Sequence, residues 1–371
     1  MNGQAERIRP LHLLGMGANV AETEGSSLAA PLETVDPLLD PRWAELSSTA
    51  GTALVFHHPA WLRLIQRQYG CSLGAWALTA SDGRLECGLP FALMRSRLAG
   101  TRLVALPFSD SCSLLLAPGS RVDPGEFSHR LARESVRRGL DLEVRATFPA
   151  GHGAHIVKSF LEHRLALGPD VAAVESKFAR GHRRGVAKAI RDGVTVERRT
   201  DTDALRRFYR LHLATRRRQG LPTPSKRFIL GFSRLFDAGL GFVILARQHE
   251  RDIAAAVFLT TGATLMYEFG ASDVQFLRSS PNNMVLMEAI RWGCETGHQT
   301  LHFGRTDLDN EGLRRFKRGW GTDESTLHYC RFGSPIQTSS GRSRKVLSRA
   351  ISGGPPVLGR LVGAAYYRHF G

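Results

Sequence analysis

The chain has 371 residues, with 50 Lys and Arg against 34 Asp and Glu, a net charge of +16 and 42% hydrophobic residues. That composition excludes a disordered chain, a collagen and a disulfide-stapled miniprotein, and the length exceeds what one core usually supports, so two domains are expected. No run approaches the roughly 20 apolar residues of a membrane-spanning helix, and five cysteines without paired spacing point to reduced thiols in a cytosolic compartment.

Residues 1–35 read as a disordered leader: Arg7 and Arg9 precede a weak apolar run that His12 and Asn19 interrupt, with no secretory cleavage pattern. From Pro41, the residues Trp43, Phe56, Trp61, Leu64, Ile65 and Tyr69 recur at helical intervals and predict helices that end at Gly70. Three strands follow, Leu73–Ala80, Leu85–Ser96 and Arg102–Pro107, with Asp82-Gly83 as a hairpin turn. The second half repeats the plan with strands Gly241–Arg247, Ile253–Thr261 and Thr264–Gly270. Two such meanders, each between helices, predict a duplicated α+β fold.

Three further helices are expected between and after the meanders. One runs from a Ser176 cap through Arg191, with Val186, Ala187 and Ile190 inward and Arg183 and Arg184 on its basic face. A second starts at Asp201 or Thr202 with Leu205, Phe208, Tyr209 and Leu211 inside, and a third opens at Pro281-Asn282. A strand Thr300–Gly304, a short helix Gly312–Lys317 and a last strand Thr326–Phe332 complete the pattern. Beyond residue 333 the sequence turns basic and Ser/Gly-rich, and a disordered tail is expected over 334–371, with an apolar stripe Val357, Leu358, Leu361 and Val362.

Charge is segregated along the chain. Residues 170–235 carry 17 basic and 6 acidic side chains and residues 331–371 carry 7 and none, whereas the remainder is nearly neutral. A local excess of this kind attracts phosphates, nucleic acid or an anionic membrane. Alternatively it is only a solvated face, and the dominance of Arg (only six of the 50 are Lys) follows from genome composition.

The densest chemistry lies in residues 267–321. Tyr267-Glu268-Phe269-Gly270-Ala271-Ser272-Asp273 and Phe303-Gly304-Arg305-Thr306-Asp307 end two strands, and Phe316-Lys317-Arg318-Gly319-Trp320-Gly321 follows a helix. Adjacent strand ends would form one rim, where Arg305 can clamp an oxyanion, Lys317 can supply a point charge, and Asn282 or the free amides at its helix start can hold a phosphate. Glu268 and Asp110 are the carboxylates placed to take a proton, while Tyr267, Asp273, Arg183, Arg184 and Trp320 are candidate substrate contacts. His152, His155 and His163 lack the further ligands of a metal site, and no metal is expected. Cys112 beside Asp110 reads as a buried thiol rather than a nucleophile.

Read together, the basic helix 177–191, the stretch 215–222, Gly270-Ala271-Ser272-Asp273, Pro281-Asn282, Phe303-Gly304-Arg305-Thr306 and Phe316-Lys317-x-x-Trp320-Gly321 resemble the FemAB-like acyltransferases of the GNAT superfamily, which include the BioF2-like acetyltransferase domain. Trp61, Tyr69-Gly70 and Pro107-Phe108-Ser109-Asp110 extend the resemblance into the first half, and its closest flavour is that of exosortase-associated proteins. The resemblance implies two tandem GNAT-like domains, 36–168 and 169–333, each a mixed, mostly antiparallel sheet flanked by helices. It implies transfer of an acyl or aminoacyl group to an amine in cell-envelope or exopolysaccharide synthesis, with Lys317 binding anionic substrate. No cofactor is expected to be tightly bound; the donor is acyl-CoA or aminoacyl-tRNA, and the acceptor is an anionic small molecule or lipid-linked precursor. The chain is expected in the cytoplasm, with peripheral membrane contact through the basic tail.

Two departures bear on the donor. The turn Arg278-Ser279-Ser280-Pro281-Asn282-Asn283 lacks the glycines with which acetyl-CoA-dependent GNAT domains cradle pyrophosphate, and its proline has no N–H. There is also no coiled-coil arm of the kind with which some peptidoglycan-bridge enzymes grip tRNA. A conventional acetyl-CoA N-acetyltransferase and a non-catalytic nucleic-acid-binding or other anion-binding relative are the competing readings.

Overall fold

In the computed structural model the described residues are 32–96, 100–149 and 151–333. The tail 334–371 with its apolar stripe, and all of the leader up to residue 31, lie outside them. The first half contains β1 (Glu33–Val35), α1 (Pro41–Thr49), α2 (Pro59–Tyr69), β2 (Ser72–Thr79), β3 (Leu85–Ser96), β4 (Gly100–Ala105), β5 (Leu115–Leu116), α3 (Pro124–Arg138), β6 (Leu142–Val144) and β7 (His155–Ala166). The second contains α4 (Val171–Ser176), α5 (Arg180–Arg191), β8 (Thr195–Arg199), α6 (Thr202–Arg218), α7 (Lys226–Leu230), α8 (Ser233–Asp237), β9 (Gly241–Gln248), β10 (Arg251–Thr261) and β11 (Thr264–Ser272). A 3-10 turn (Val274–Ser279), α9 (Pro281–Glu295), β12 (Thr300–Asp307), α10 (Glu311–Arg318) and β13 (Asp323–Phe332) follow.

Local chemistry places these boundaries. Gly70 ends α2 at a φ of 67°, a left-handed conformation that glycine adopts without a Cβ clash. Asp201 opens α6 by accepting from the amides of Asp203 and Ala204. Two expectations are corrected. Glu33–Val35, assigned to the leader, pairs with β2 as strand β1. Ser176 ends the short helix α4 instead of capping α5, and α5 buries Val186 and Ala189 while Ala187 and Ile190 face outward.

The strands join one mixed sheet in the order β1-β2-β3-β4-β6-β13-β7-β12-β11-β10-β9-β8, with β5 on β3. In each half an antiparallel meander ends in a strand that pairs in parallel with the strand after a helix, β4 with β6 and β11 with β12. The architecture is α+β, as expected. The order is nearly palindromic about β13 and β7, because each half lends its last strand to the other: β7 pairs with β12, and β13 inserts between β6 and β7.

Alternation along the strands serves two cores. Val243 and Leu245 of β9 with Ala255 and Val257 of β10 face a core that also takes Trp61 and Leu62 of α2 and Phe208 of α6. Phe242, Ile244, Ala254 and Ala256 face the opposite core under α5 and α9. Strands covered on both faces are apolar throughout, as these are.

Candidate active site

β11 and β12 are paired only over Thr264–Met266 and Thr300–His302. Beyond that point they no longer pair with each other, and each is bulged against its outer neighbour. Glu268 is an extra residue on β11, a bulge against Val257 and Phe258 of β10, and Phe303 and Gly304 interrupt the β12–β7 register. Bulges re-aim side chains and strip backbone groups of their ladder partners. Here side chains replace those partners. The Gly304 amide donates to His302 Nδ1 at 3.0 Å. Lys317 Nζ donates to the carbonyl oxygens of Gly304 (2.9 Å) and Arg305 (3.0 Å). The Arg305 amide donates to Asp110 Oδ2 at 3.1 Å. Both amides and both carbonyls of this peptide pair are thus satisfied, as buried backbone must be.

The same contacts set the Arg305 guanidinium. Its Nη1 donates to Tyr329 Oη at 2.6 Å, its Nε lies 3.3 Å from Asp110 Oδ1, and it stacks over the rings of Phe160 (4.5 Å) and Tyr329 (5.3 Å). Tyr329 in turn donates to the Asp110 carbonyl (2.7 Å), and Arg145 donates to the Ser109 carbonyl (2.7 Å). The first-half loop that carries Asp110 is therefore fastened to the second half by β13. Gly304 sits at a φ of 68°, and a Cβ there would run into the Asp110 carboxylate.

Tyr267, Glu268, Asp110 and Arg305 each keep accessible surface, about a third of the side chain for Asp110 (37%) and Arg305 (35%). Burial, with Asp110 adding repulsion, pushes the Glu268 carboxyl well above the usual carboxylate range. Burial lifts the Tyr267 phenol to about 12. These half-buried side chains gather where β11 and β12 part.

The structure brings Asp110, Arg305 and Lys317 together, with Tyr267 and Glu268 on the facing strand. It treats the other candidates differently. Lys317, expected to meet a substrate anion, is 3% exposed and directs its ammonium at two carbonyls; burial lowers it to about 8, against the pull of Asp110. Trp320 is fully enclosed by Phe178, His182 and Phe316, so its ring has no open face for a substrate. Asp273 caps the 3-10 turn through the Gln275 amide and pairs with Arg251 at 2.8 Å. Arg183 and Arg184 are exposed on α5. Asn282 lies in the first turn of α9, and no hydrogen bond or ion pair among the described residues ties it to the Asp110 group. At that helix start the Asn283 amide is engaged by the Ser280 carbonyl, and the Asn283 side chain covers Gly185 of α5. A Cys112–His57 contact at 3.5 Å, not foreseen, is wholly buried, and burial raises the thiol further from ionisation. His302, Glu162, Phe160, Arg145 and Tyr329 complete the site without any motif to announce them.

Among the described residues no group of three or more His, Cys, Asp or Glu is placed to hold a metal ion, and no helix is long and apolar enough to cross a membrane. No curated protein matches the chain. A family model described as an acetyltransferase (GNAT) domain matches residues 176–318. Among solved structures, FemX aligns with a TM-score of 0.61 at 16% identity, over 80% of this chain and 96% of that one. The C-terminal DUF2156 domain of a candidate lysylphosphatidylglycerol synthetase from Agrobacterium fabrum aligns with a TM-score of 0.51 at 12% identity, over 84% of this chain and 94% of that one. At such identities these likenesses establish the fold, and the match to the family model covers β11, β12 and α10 but not the Asp110 loop, β7 or β13. Residues 176–318 thus match the model of a GNAT acetyltransferase domain, in a chain that has the fold of FemX, a likeness consistent with the FemAB-like resemblance of its motifs.

Proposed function

We propose that the chain is an N-acyltransferase that joins an acyl or aminoacyl group to an amine at the parting of β11 and β12. The observation that carries this is the convergence of Glu268, Asp110 and Arg305 where the strands part. An incoming ammonium must lose a proton before nitrogen can attack, and Glu268, with its raised pKa, is a base poised nearer neutrality than an ordinary carboxylate. Nitrogen adds to the carbonyl carbon of the activated ester, and the tetrahedral oxyanion collapses with loss of the thiolate or alkoxide. Tyr267, kept protonated by burial, is the acid available to that leaving group. Arg305 holds negative charge on donor or acceptor in a fixed geometry. Lys317 acts one step back: its ammonium shapes the peptide that presents Arg305.

We propose further that the donor is acyl-CoA or aminoacyl-tRNA, that the acceptor is anionic or lipid-linked, and that the reaction serves cell-envelope or exopolysaccharide synthesis in the cytoplasm. The two repeats then divide near residue 168, between β7 and α4. The turn without glycine, whose Asn283 amide is already bonded, disfavours a conventional acetyl-CoA enzyme. To test the reading, the purified chain is incubated with acyl-CoAs or aminoacyl-tRNAs and amine acceptors, and new amides are sought by mass spectrometry. Amide formation that falls on Glu268→Gln is expected. Turnover untouched by both Glu268→Gln and Arg305→Ala would remove this group from the chemistry.

A further inference from the structure

The rim of the sheet at the β9–β10 hairpin gathers three elements. The Gln248 side chain donates to the Asp192 carbonyl at the end of α5 (2.6 Å), Asp192 is hydrogen-bonded to Ser279 at the end of the 3-10 turn, and Arg251 reaches Asp273 (2.8 Å) and lies over Phe276 (5.1 Å). This rim exposes Ile190 (55%), Val274 (55%) and Leu277 (43%), three of the eight most exposed large apolar side chains among the described residues. Val274 and Leu277 stand three apart on a 3-10 turn, whose side chains at that spacing eclipse on one side. Scattered exposed aliphatics are ordinary, but three on adjoining elements call for a partner.

The charge around them says which partner. Three carboxylates of the rim are paired, Asp192 by Lys188 (2.6 Å), Asp252 by Arg207 (2.5 Å) and Asp273 by Arg251, and Glu250 in the hairpin is exposed without an ion pair among the described residues. By contrast Arg191, Arg210, Arg217 and Arg278 are exposed, and none has a carboxylate within ion-pair distance among the described residues. Between α6 and the start of β10 lies a cavity of about 830 Å³, lined by five arginines (Arg207, Arg210, Arg217, Arg218 and Arg251) against three carboxylates (Glu250, Asp252 and Asp273), with Val274 at its edge, that includes no member of the Asp110 group. Uncompensated arginines around aliphatic tips and a head-group-sized hollow suit a surface of negative charge over hydrocarbon. A nucleic acid would use the arginines but gain nothing from the aliphatic tips.

We propose that this rim docks the protein on an anionic lipid bilayer, with Ile190, Val274 and Leu277 entering the interface and the arginines meeting lipid phosphates. The surface lies wholly within the second half, so the proposal needs neither the tail nor the acyl-transfer reading. The test is co-sedimentation of the full chain with vesicles. Wild type is expected to pellet with vesicles containing about a third phosphatidylglycerol and to stay in solution with purely zwitterionic ones. Val274→Ser with Leu277→Ser is expected to weaken that partition ~tenfold while leaving thermal unfolding unchanged. Arg217→Ser with Arg278→Ser should weaken it and flatten its salt dependence. The proposal is overturned if the serine pair leaves partition intact, since another surface then binds. It is equally overturned if wild type ignores anionic vesicles, or binds RNA instead with an affinity the serine pair does not alter.

Discussion

Lys317 Nζ does the work of two missing ladder bonds, because the β12–β7 register breaks where the Gly304 and Arg305 carbonyls need donors. Lys317→Met should therefore leave both carbonyls buried and unpaired, at a cost of roughly 2–5 kcal/mol, read as a lower denaturation midpoint. The same variant should impair acyl transfer by loosening Arg305, whereas loss of activity with full stability would restore a direct substrate role. At Glu268 the sign follows from the raised pKa. A base must be unprotonated, so kcat/KM should climb with pH through an apparent pKa above the ordinary carboxylate range. Glu268→Gln should lower the rate by ~100-fold or more and abolish that climb, checked by a pH–rate profile of both proteins. The motif around Phe316-Lys317 marks Lys317 in the sequence, but its acceptors are main-chain oxygens, which carry no residue identity. Trp320 misleads for a related reason: an indole in a motif looks the same whether it meets a ligand or, as here, Phe178 and His182.

β11 and β12 are ordinary parallel neighbours for three residues and then part, and their bulges interrupt a continuous sheet there. Gly304→Ala tests that geometry. Its Cβ would meet the Asp110 carboxylate, in a left-handed conformation that alanine tolerates poorly. Activity is expected to fall at least tenfold, together with a loss of ~1–3 kcal/mol of stability, checked by kinetics and urea titration on the same preparation. Most element boundaries were legible because caps and periodicity are local: the predicted Leu85–Ser96 is β3 itself, and Pro281 does open α9. The inward face of α5 was not. It turns on which side meets α9, where Asn283 lies against Gly185, so Ala189 is buried and Ile190 is not.

Exchange of β7 and β13 binds the two halves across the middle of the sheet, and buried charge sits at that junction. Glu162 on β7 lies 2.8 Å from His302 Nε2 on β12. Burial by itself would raise its pKa, but His302 and Arg164 outweigh burial and hold it at about 2. A folded-state value below the unfolded one means stability that is present above pH ~4.5 and is lost as pH falls toward 2. The contribution is of the order of 3 kcal/mol. Acid titration of unfolding should show wild type losing its advantage over Glu162→Gln within that window, and a constant difference would refute the assignment.

The two meanders, α6, α9 and the last strands, the separation of charge and the choice of Asp110, Tyr267, Glu268 and Arg305 as candidate residues were legible in residue order, because caps, turns, alternation and short motifs act over a few neighbours. By contrast, α3, β6, β7 and β8 were not among the predicted elements. The exchange of end strands, the fastening of Asp110 by Tyr329 and Arg145, the inward turn of Lys317 and the apolar, arginine-rimmed edge were decided by contacts between residues as many as 219 apart. Such contacts are settled by which surfaces exclude water together and which backbone groups are left needing partners, and neither quantity exists until the chain has folded.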